Sequence, residues 1–325
     1  MIFPGQASQV VGMARDLLEA GGPAAEFLAQ VDDMLGVELT AMMFDGPLEV
    51  LTETRNAQPA ILAHSVAVAL ALREVGIEPS VVAGHSLGEF SAAAAVNSLT
   101  PEQALKLVRR RGELMFEAGQ QRPGTMAAIM GLDADKVREV CAEISREHGS
   151  VVLANHNSAA QVVISGAVDA VPLAGEALKA AGARRVTPLN VSGAFHSPLL
   201  ADAAASFAAD LEANEFEDPT MPLVANVSGR PVTRAADLRS GLKRQLTSPV
   251  LWHDTMEWFT SGQAETPRVV LEVGPGKVLS NLARRSFPDV TFIPVGTVEG
   301  LGNIRDQLIE ILGEDAQEME ARNGD

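Results

Sequence analysis

Six histidines, one serine framed by glycines and one misplaced arginine hold the chemical interest of this 325-residue chain. Gly84-His85-Ser86-Leu87-Gly88 follows the apolar run "SVVAG" and precedes an Ala-rich stretch. That is the G-x-S-x-G arrangement of a sharp strand-to-helix turn, which lifts a serine hydroxyl clear of a sheet edge and turns the next backbone N–H, here of Leu87, toward a developing oxyanion. The pentapeptide also fits an ordinary tight turn, and at this level both readings stand. A nucleophilic serine needs a base. His85 is its neighbour and points away in such a turn. His64 sits inside the apolar run "PAILAHSVAVALAL" and reads as a core residue, His148 as solvated, and His253 as lying near a helix start. His156 and His196 are the loop candidates. His196, in "NVSGAFHSPLL", follows a strand and a Gly-containing turn, where such folds carry catalytic groups, and is preferred over His156.

The third group is Arg111. "TPEQALKLVRRRGELMFEAG" (100–119) reads as a helix with Thr100 as cap, Pro101 in the first turn and Gln103 completing a capping box. Helical spacing gathers Ala104, Leu107, Val108, Met115 and Ala118 on one face, and Arg111 falls in its middle. Such an arginine either snorkels to the surface or pairs with a carboxylate of the protein, or else it receives an anion. An inward guanidinium must have a partner, and it matches a carboxylate with two parallel hydrogen bonds.

The elements that would position these groups alternate. Short apolar runs such as "MIFPG" and "SVVAG" lie between helical stretches near 12–35, 59–75 and 87–96, which predicts a parallel sheet covered on both faces. The middle differs. "TMAAIMGL", "VVLANHN", "QVVISG" and "RRVTPLN" read as strands, with helices at "DADKVREVCAEISREHG" and "AVDAVPLAGEALKAAG". The order β-α-β-β-α-β is that of a ferredoxin-like unit. The expected organisation is therefore α/β: a large parallel-sheet domain of residues 1–123 and 191–325, interrupted by a small domain of residues 124–190.

Composition narrows the function classes. A formal net charge of −17 opposes nucleic acid as a partner. Part of the acidic excess lies in the tail 313–325, read as solvated. The single cysteine, Cys141, precludes an internal disulfide and a Cys-based metal site, and its place on a helix's apolar side reads as packing. The most apolar helix candidate, about 14 residues with His64 and Ser65 in it, is too short for a bilayer. No secretion signal is visible, so a cytoplasmic location is expected. "VGPGKVL" lacks the spacing of a phosphate loop.

Taken in order, "FPGQASQ" (3–9), "GHSLGEFSA" (84–92), "RGELM" (111–115), "GAFHS" (193–197) and "EVGPGKVL" (272–279) resemble the malonyl-CoA:acyl carrier protein transacylases of fatty-acid synthesis and the related acyltransferase domains of polyketide synthases. The resemblance runs from Ile2 to about Leu312. It implies a hydrolase-like α/β domain with a ferredoxin-like insertion, Ser86 as nucleophile and His196 as base. It further implies backbone N–H groups of Gln6 and Leu87 as the oxyanion hole, and Arg111 as receptor for the malonyl carboxylate. Met115, Gln58, Asn155 and Phe195 would line the acyl pocket, Phe195 excluding an α-methyl branch. The family supports its histidine with backbone carbonyls near "SPV-x-W"; Leu251 here stands where glutamine is common. The implied partners are malonyl-CoA and acyl carrier protein, with no cofactor and no metal, and the implied state is a monomer. A polyketide role and a serine hydrolase or thioesterase remain the alternative readings. Arg109, Arg110, Lys277, Arg284 and Arg285 are candidates for a basic docking patch.

Overall fold

The computed structural model describes residues 1–191, 193–260 and 267–313. Among the described residues, ten strands form two sheets. β1 (Ile2–Phe3) and β2 (Val82–Gly84) lie in the first; β3 (Gly124–Met130), β4 (Val151–Ser158), β5 (Gln161–Ala167) and β6 (Arg185–Pro188) make the second. The chain then returns to the first with β7 (Leu223–Ala225), β8 (Arg230–Val232), β9 (Val269–Val273) and β10 (Thr291–Val295). The first sheet has the order β10-β9-β1-β2-β7-β8. Its neighbours run parallel up to β7, as the alternating sequence predicts, but β8 returns antiparallel as an edge hairpin.

Successive side chains of a strand point to opposite faces. Phe3, Val82, Leu223 and Leu271 pack into one core and Ile2, Ala83, Val224 and Val270 into another. Both faces are thus covered, which is why these strands read as unbroken apolar runs.

The second sheet is wholly antiparallel, in the order β4-β5-β3-β6. That is the ferredoxin-like arrangement expected from β-α-β-β-α-β. On one face Ile129, Leu153, Val162 and Ile164 meet the helices Ala134–His148 and Ala170–Ala180, with Cys141 buried among them. Burial pushes the Cys141 thiol up to about 12, so it is an inert packing group. On the other face Met126, Ala128, Ala154 and Val163 join the main core. Backbone bonds pin the outer strand β4 to the first unit: His156 N–H donates to the Val250 carbonyl at 2.9 Å, and Val250 N–H to Ala154 at 2.9 Å.

Two helix expectations change. The stretch 12–35 is three short helices, Arg15–Ala20, Gly22–Leu28 and Val31–Leu35, the first two parted where Gly21 and Gly22 take φ of 82° and 72°. The helix expected from Pro59 begins at Thr54 and carries Pro59 inside it. Proline lacks the N–H that would bond the carbonyl four residues back. That carbonyl, of Arg55, accepts instead from Arg109 Nη1 at 3.0 Å. Arg109 also pairs with Glu113 at 2.7 Å, so it braces two helices and is not a free docking cation. Of the acidic tail, residues 314–325 lie outside the described residues.

Candidate active site

Ser86 sits between β2 and the helix Gly88–Ala95, in the left-handed region at φ 54°. The flanking glycines are required by space. A Cβ on Gly84 would stand 1.9 Å from the Gly88 carbonyl oxygen, and one on Gly88 would stand 2.3 Å from that of Phe3. Strand, turn and helix approach so closely that no side chain fits between them. The turn is tied down by Asn226, whose Oδ1 accepts from Ser86 N–H at 2.7 Å while its Nδ2 donates to the Gly84 carbonyl at 2.6 Å.

His196 meets the serine from the loop after β6. Its Nε2 is 2.8 Å from Ser86 Oγ, and its Nδ1 is 2.9 Å from the Gln245 carbonyl. A carbonyl only accepts, so Nδ1 carries the ring proton and Nε2 presents a lone pair to the serine hydroxyl. Burial, followed by the Arg111 charge, holds the imidazole down to about 3, against the pull of the Gln245 carbonyl. The ring is therefore a neutral base at physiological pH. Like Ser86, His196 has a left-handed backbone, φ 56°, a strained conformation for a non-glycine residue. The supporting carbonyl comes from the end of the helix Ala235–Gln245, just before "SPV-x-W", and the side chain at Leu251 has no part in it.

Arg111 lies within the helix Pro101–Gln121, whose Thr100–Gln103 capping box forms as predicted. It is 1% exposed, so it does not snorkel. Its Nη1 donates to Gln58 Oε1 at 2.5 Å, and its Nη2 to Gln245 Oε1 at 2.9 Å and to Ser86 Oγ at 3.1 Å. All three acceptors are neutral. Desolvation lowers the guanidinium to about 10, partly countered by Glu89, and leaves it charged. A buried cation whose contacts are neutral amide and hydroxyl oxygens, one of them the serine hydroxyl, is equipped to receive an anion attached to that serine.

The remaining expected residues surround this centre unequally. Gln58 Nε2 also contacts Met115 Sδ at 3.2 Å, so both belong to the arginine's cradle. Phe195 is buried beside His196 and packs on Gly193, where a Cβ would stand 2.7 Å from its ring. Asn155 is buried in β4 and bridges backbone to Val250; its side chain makes no hydrogen bond to Ser86, His196 or Arg111 among the described residues. Among the described residues, the N–H groups of Gln6 and Leu87 have no partner. The Gln6 side chain anchors its loop to Thr54 Oγ1 at 3.0 Å, and Gly5 leaves no room for a Cβ against the His85 carbonyl, 2.7 Å away. His85 turns aside as expected, to Asn157 Oδ1 at 3.0 Å. His156 lies in a strand rather than a loop and faces Asp254 at 3.1 Å. His64 is buried and bonds the Gly296 carbonyl at 2.6 Å. The Gly-Pro-Gly turn after β9 packs on Pro4, Ser8 and Ser65, behind the Gln6 loop. Glu272 caps the following helix by accepting from Leu279 and Ser280 N–H at 2.9 and 2.8 Å, a structural duty. A cavity of about 290 Å³ between Met1, Ile77, Leu271 and Leu308 touches none of these groups.

The description "Acyl transferase domain" matches residues 1–309. The chain belongs to the acyl transferase family. Among relatives of this acyl transferase, the malonyl CoA-acyl carrier protein transacylase of Bacillus subtilis (strain 168) is 42% identical over 284 residues, covering 87% of this chain and 89% of the relative. The Staphylococcus aureus (strain COL) protein of the same name is 38% identical, over 92% of this chain and 96% of the relative. An acyl carrier protein S-malonyltransferase structure from Vibrio cholerae superposes with a TM-score of 0.88 at 39% identity, over 93% of this chain and 98% of that one. A malonyl-transacylase solved in complex with a type II polyketide synthase acyl-carrier protein also reaches 0.88, at 40% identity, over 93% of this chain and 97% of that one.

Three residues of the acyl transferase site escape sequence reasoning: Asn226, Gln245 and Glu89, all buried polar groups. Asn226 and Gln245 lie 140 and 159 positions from Ser86, in segments without a motif. Glu89 alone has a local signal, a carboxylate opening an otherwise apolar helix, "GEFSAAAA". No helix among the described residues is long and apolar enough to cross a membrane, and no group there of three or more His, Cys, Asp or Glu could hold a metal ion.

Proposed function

We propose that this acyl transferase moves the malonyl group of malonyl-CoA onto the phosphopantetheine thiol of an acyl carrier protein, through a malonyl-serine ester. The supporting observation is Arg111: buried, charged, and 3.1 Å from Ser86 Oγ, with no carboxylate bonded to it among the described residues. A hydrolase of uncharged esters has no use for it. The names of the relatives favour the same reading.

In the first half-reaction His196 Nε2 takes the hydroxyl proton as Ser86 Oγ bonds to the thioester carbon. The N–H groups of Gln6 and Leu87 hold the oxyanion. The carbon–sulfur bond breaks, and the proton passes from His196 to the departing CoA sulfur. The second half is the reverse path with the carrier thiol as nucleophile. Arg111 grips the malonyl carboxylate throughout, steadied by Gln58 and Met115. Phe195 limits branching at the α-carbon, and Asn155 borders the pocket from β4. The chemistry calls for no cofactor or metal. We further propose that residues 1–123 with 191–325 and residues 124–190 act as two domains around the site, in a cytoplasmic monomer. Lys277 and Arg285, both exposed, are candidate contacts for an acidic carrier.

The test is intact mass after mixing with malonyl-CoA alone, beside Ser86→Ala. An adduct heavier by about 86 Da, lost in the variant and discharged by carrier protein, is expected. Rapid release of free malonate and CoA with no adduct would make the protein a hydrolase instead.

A further inference from the structure

Glu89 is 1% exposed, three residues beyond the nucleophile, and the chemistry above makes no use of it. Burying a carboxylate is costly unless donors meet its oxygens. Here each oxygen has one. Oε1 accepts from Asn226 N–H at 3.3 Å, and Oε2 from Gln245 Nε2 at 2.5 Å. Gln245 Nε2 gives its other hydrogen to the Ser86 carbonyl at 3.0 Å. Both neighbours of that nitrogen are acceptors, so the amide has one orientation: nitrogen toward Glu89, oxygen toward Arg111 Nη2.

We propose that Glu89 is a positioning residue for acyl-group selection: by fixing the amide of Gln245, it holds the Arg111 guanidinium in the attitude that receives the acyl carboxylate. This rests on reading Arg111 as the carboxylate receptor. Were the amide free to rotate by half a turn, its NH₂ would face Nη2, donor against donor. Arg111 would lose an acceptor and with it the alignment toward Ser86 Oγ.

Two other roles for Glu89 give different signs. A simple counter-charge would weaken Arg111 as an anion receptor, so its removal would raise the preference for malonyl. A purely structural carboxylate would, on removal, slow every acyl donor alike. If Glu89 acts by positioning Gln245, its removal lowers the malonyl preference.

The experiment measures rates of Ser86 acylation by malonyl-CoA and by acetyl-CoA on the same samples of wild type, Glu89→Gln, Gln245→Ala and the double variant. Taking the ratio of the two rates cancels any loss of folded protein. In Glu89→Gln the new amide sets a donor or a single weak acceptor where a carboxylate stood. The malonyl-to-acetyl ratio is expected to fall by roughly ten- to a hundredfold, the scale of one hydrogen bond to a charged group. In the Gln245→Ala background the same change is expected to leave the ratio where Gln245→Ala alone puts it. A ratio unchanged or raised in Glu89→Gln overturns the proposal, as does an equal fall in both backgrounds. A wild type that malonyl-CoA does not acylate would overturn the transacylase reading and this inference together; an acylated wild type with an unmoved ratio overturns the inference alone.

Discussion

At the scale of single residues, Arg111 distinguishes a malonyl donor from an uncharged one. Removing it leaves Gln58 Oε1 and Gln245 Oε1 without their donor and the acyl carboxylate without a receptor. Arg111→Ala is expected to slow acylation by malonyl-CoA by roughly a hundredfold or more, the cost of an unpaired buried charge, and acylation by acetyl-CoA far less. Rapid-quench acylation with each donor measures both; an unchanged preference would remove Arg111 from acyl selection. Ser86 and Arg111 stand out in the sequence because one sits in a glycine-framed motif and the other interrupts an apolar helix face. Gln245 does not, since its side chain and its carbonyl act on groups that only the folded chain brings near it.

At the scale of elements, the nucleophile's position depends on the crossing of β2 with the helix Gly88–Ala95. The glycines exist for that crossing. Gly84→Ala would force a Cβ to within 1.9 Å of a backbone oxygen, which no rotamer relieves. The strand and helix would have to part, and with them Ser86 would leave His196. The expected result is a loss of roughly 3 kcal/mol or more in denaturant unfolding, with acylation abolished in whatever fraction folds. Full stability in Gly84→Ala would mean that the approach is looser than described. The helix carrying Arg111 is legible from its cap and its periodicity, and it forms where expected. The helix beginning at Thr54 is not legible, because Pro59 argues for a start. In the fold the distant Arg109 takes up the freed Arg55 carbonyl, which lowers the cost of the interior proline.

At the scale of the whole molecule, several buried groups titrate away from their ordinary values and make stability depend on pH. His196 is held down to about 3 and His64 to about 4, each chiefly by burial, against 6.5 for a free imidazole. His85 is lowered for the same reason. Below pH 6.5 the unfolded chain binds protons that the folded chain refuses, so stability falls as pH falls. Glu89, raised to about 7 by burial, works the other way: between 4.5 and 7 the folded chain keeps a proton that the unfolded chain has released. Three imidazoles outweigh one carboxyl. The urea midpoint is therefore expected to drop between pH 6.5 and 4.5, above the usual range of carboxylate titration, and His64→Gln to flatten the slope. A midpoint level over that window would contradict the assigned burial of these rings.

The sequence by itself determined the α/β class, the ferredoxin-like middle unit, the serine turn and the place of Arg111 on an apolar helix face, while its burial was left to the structure. These are written in local patterns: period-two and 3.6-residue apolar spacing, glycines at fixed offsets, a capping box. Residue patterns ranked His196 above His156, and only the resemblance to the transacylases paired it with Ser86, since 110 residues separate the two. The tertiary structure decided that pairing. It also decided the carbonyl that fixes the imidazole tautomer and the Asn226–Gln245–Glu89 network beneath the site. It turned β8 antiparallel and made Arg109 a brace. Hydrogen bonds between segments far apart in the chain leave no periodicity in either segment, so they become visible only when the sheet and its helices bring the partners within 3 Å or so.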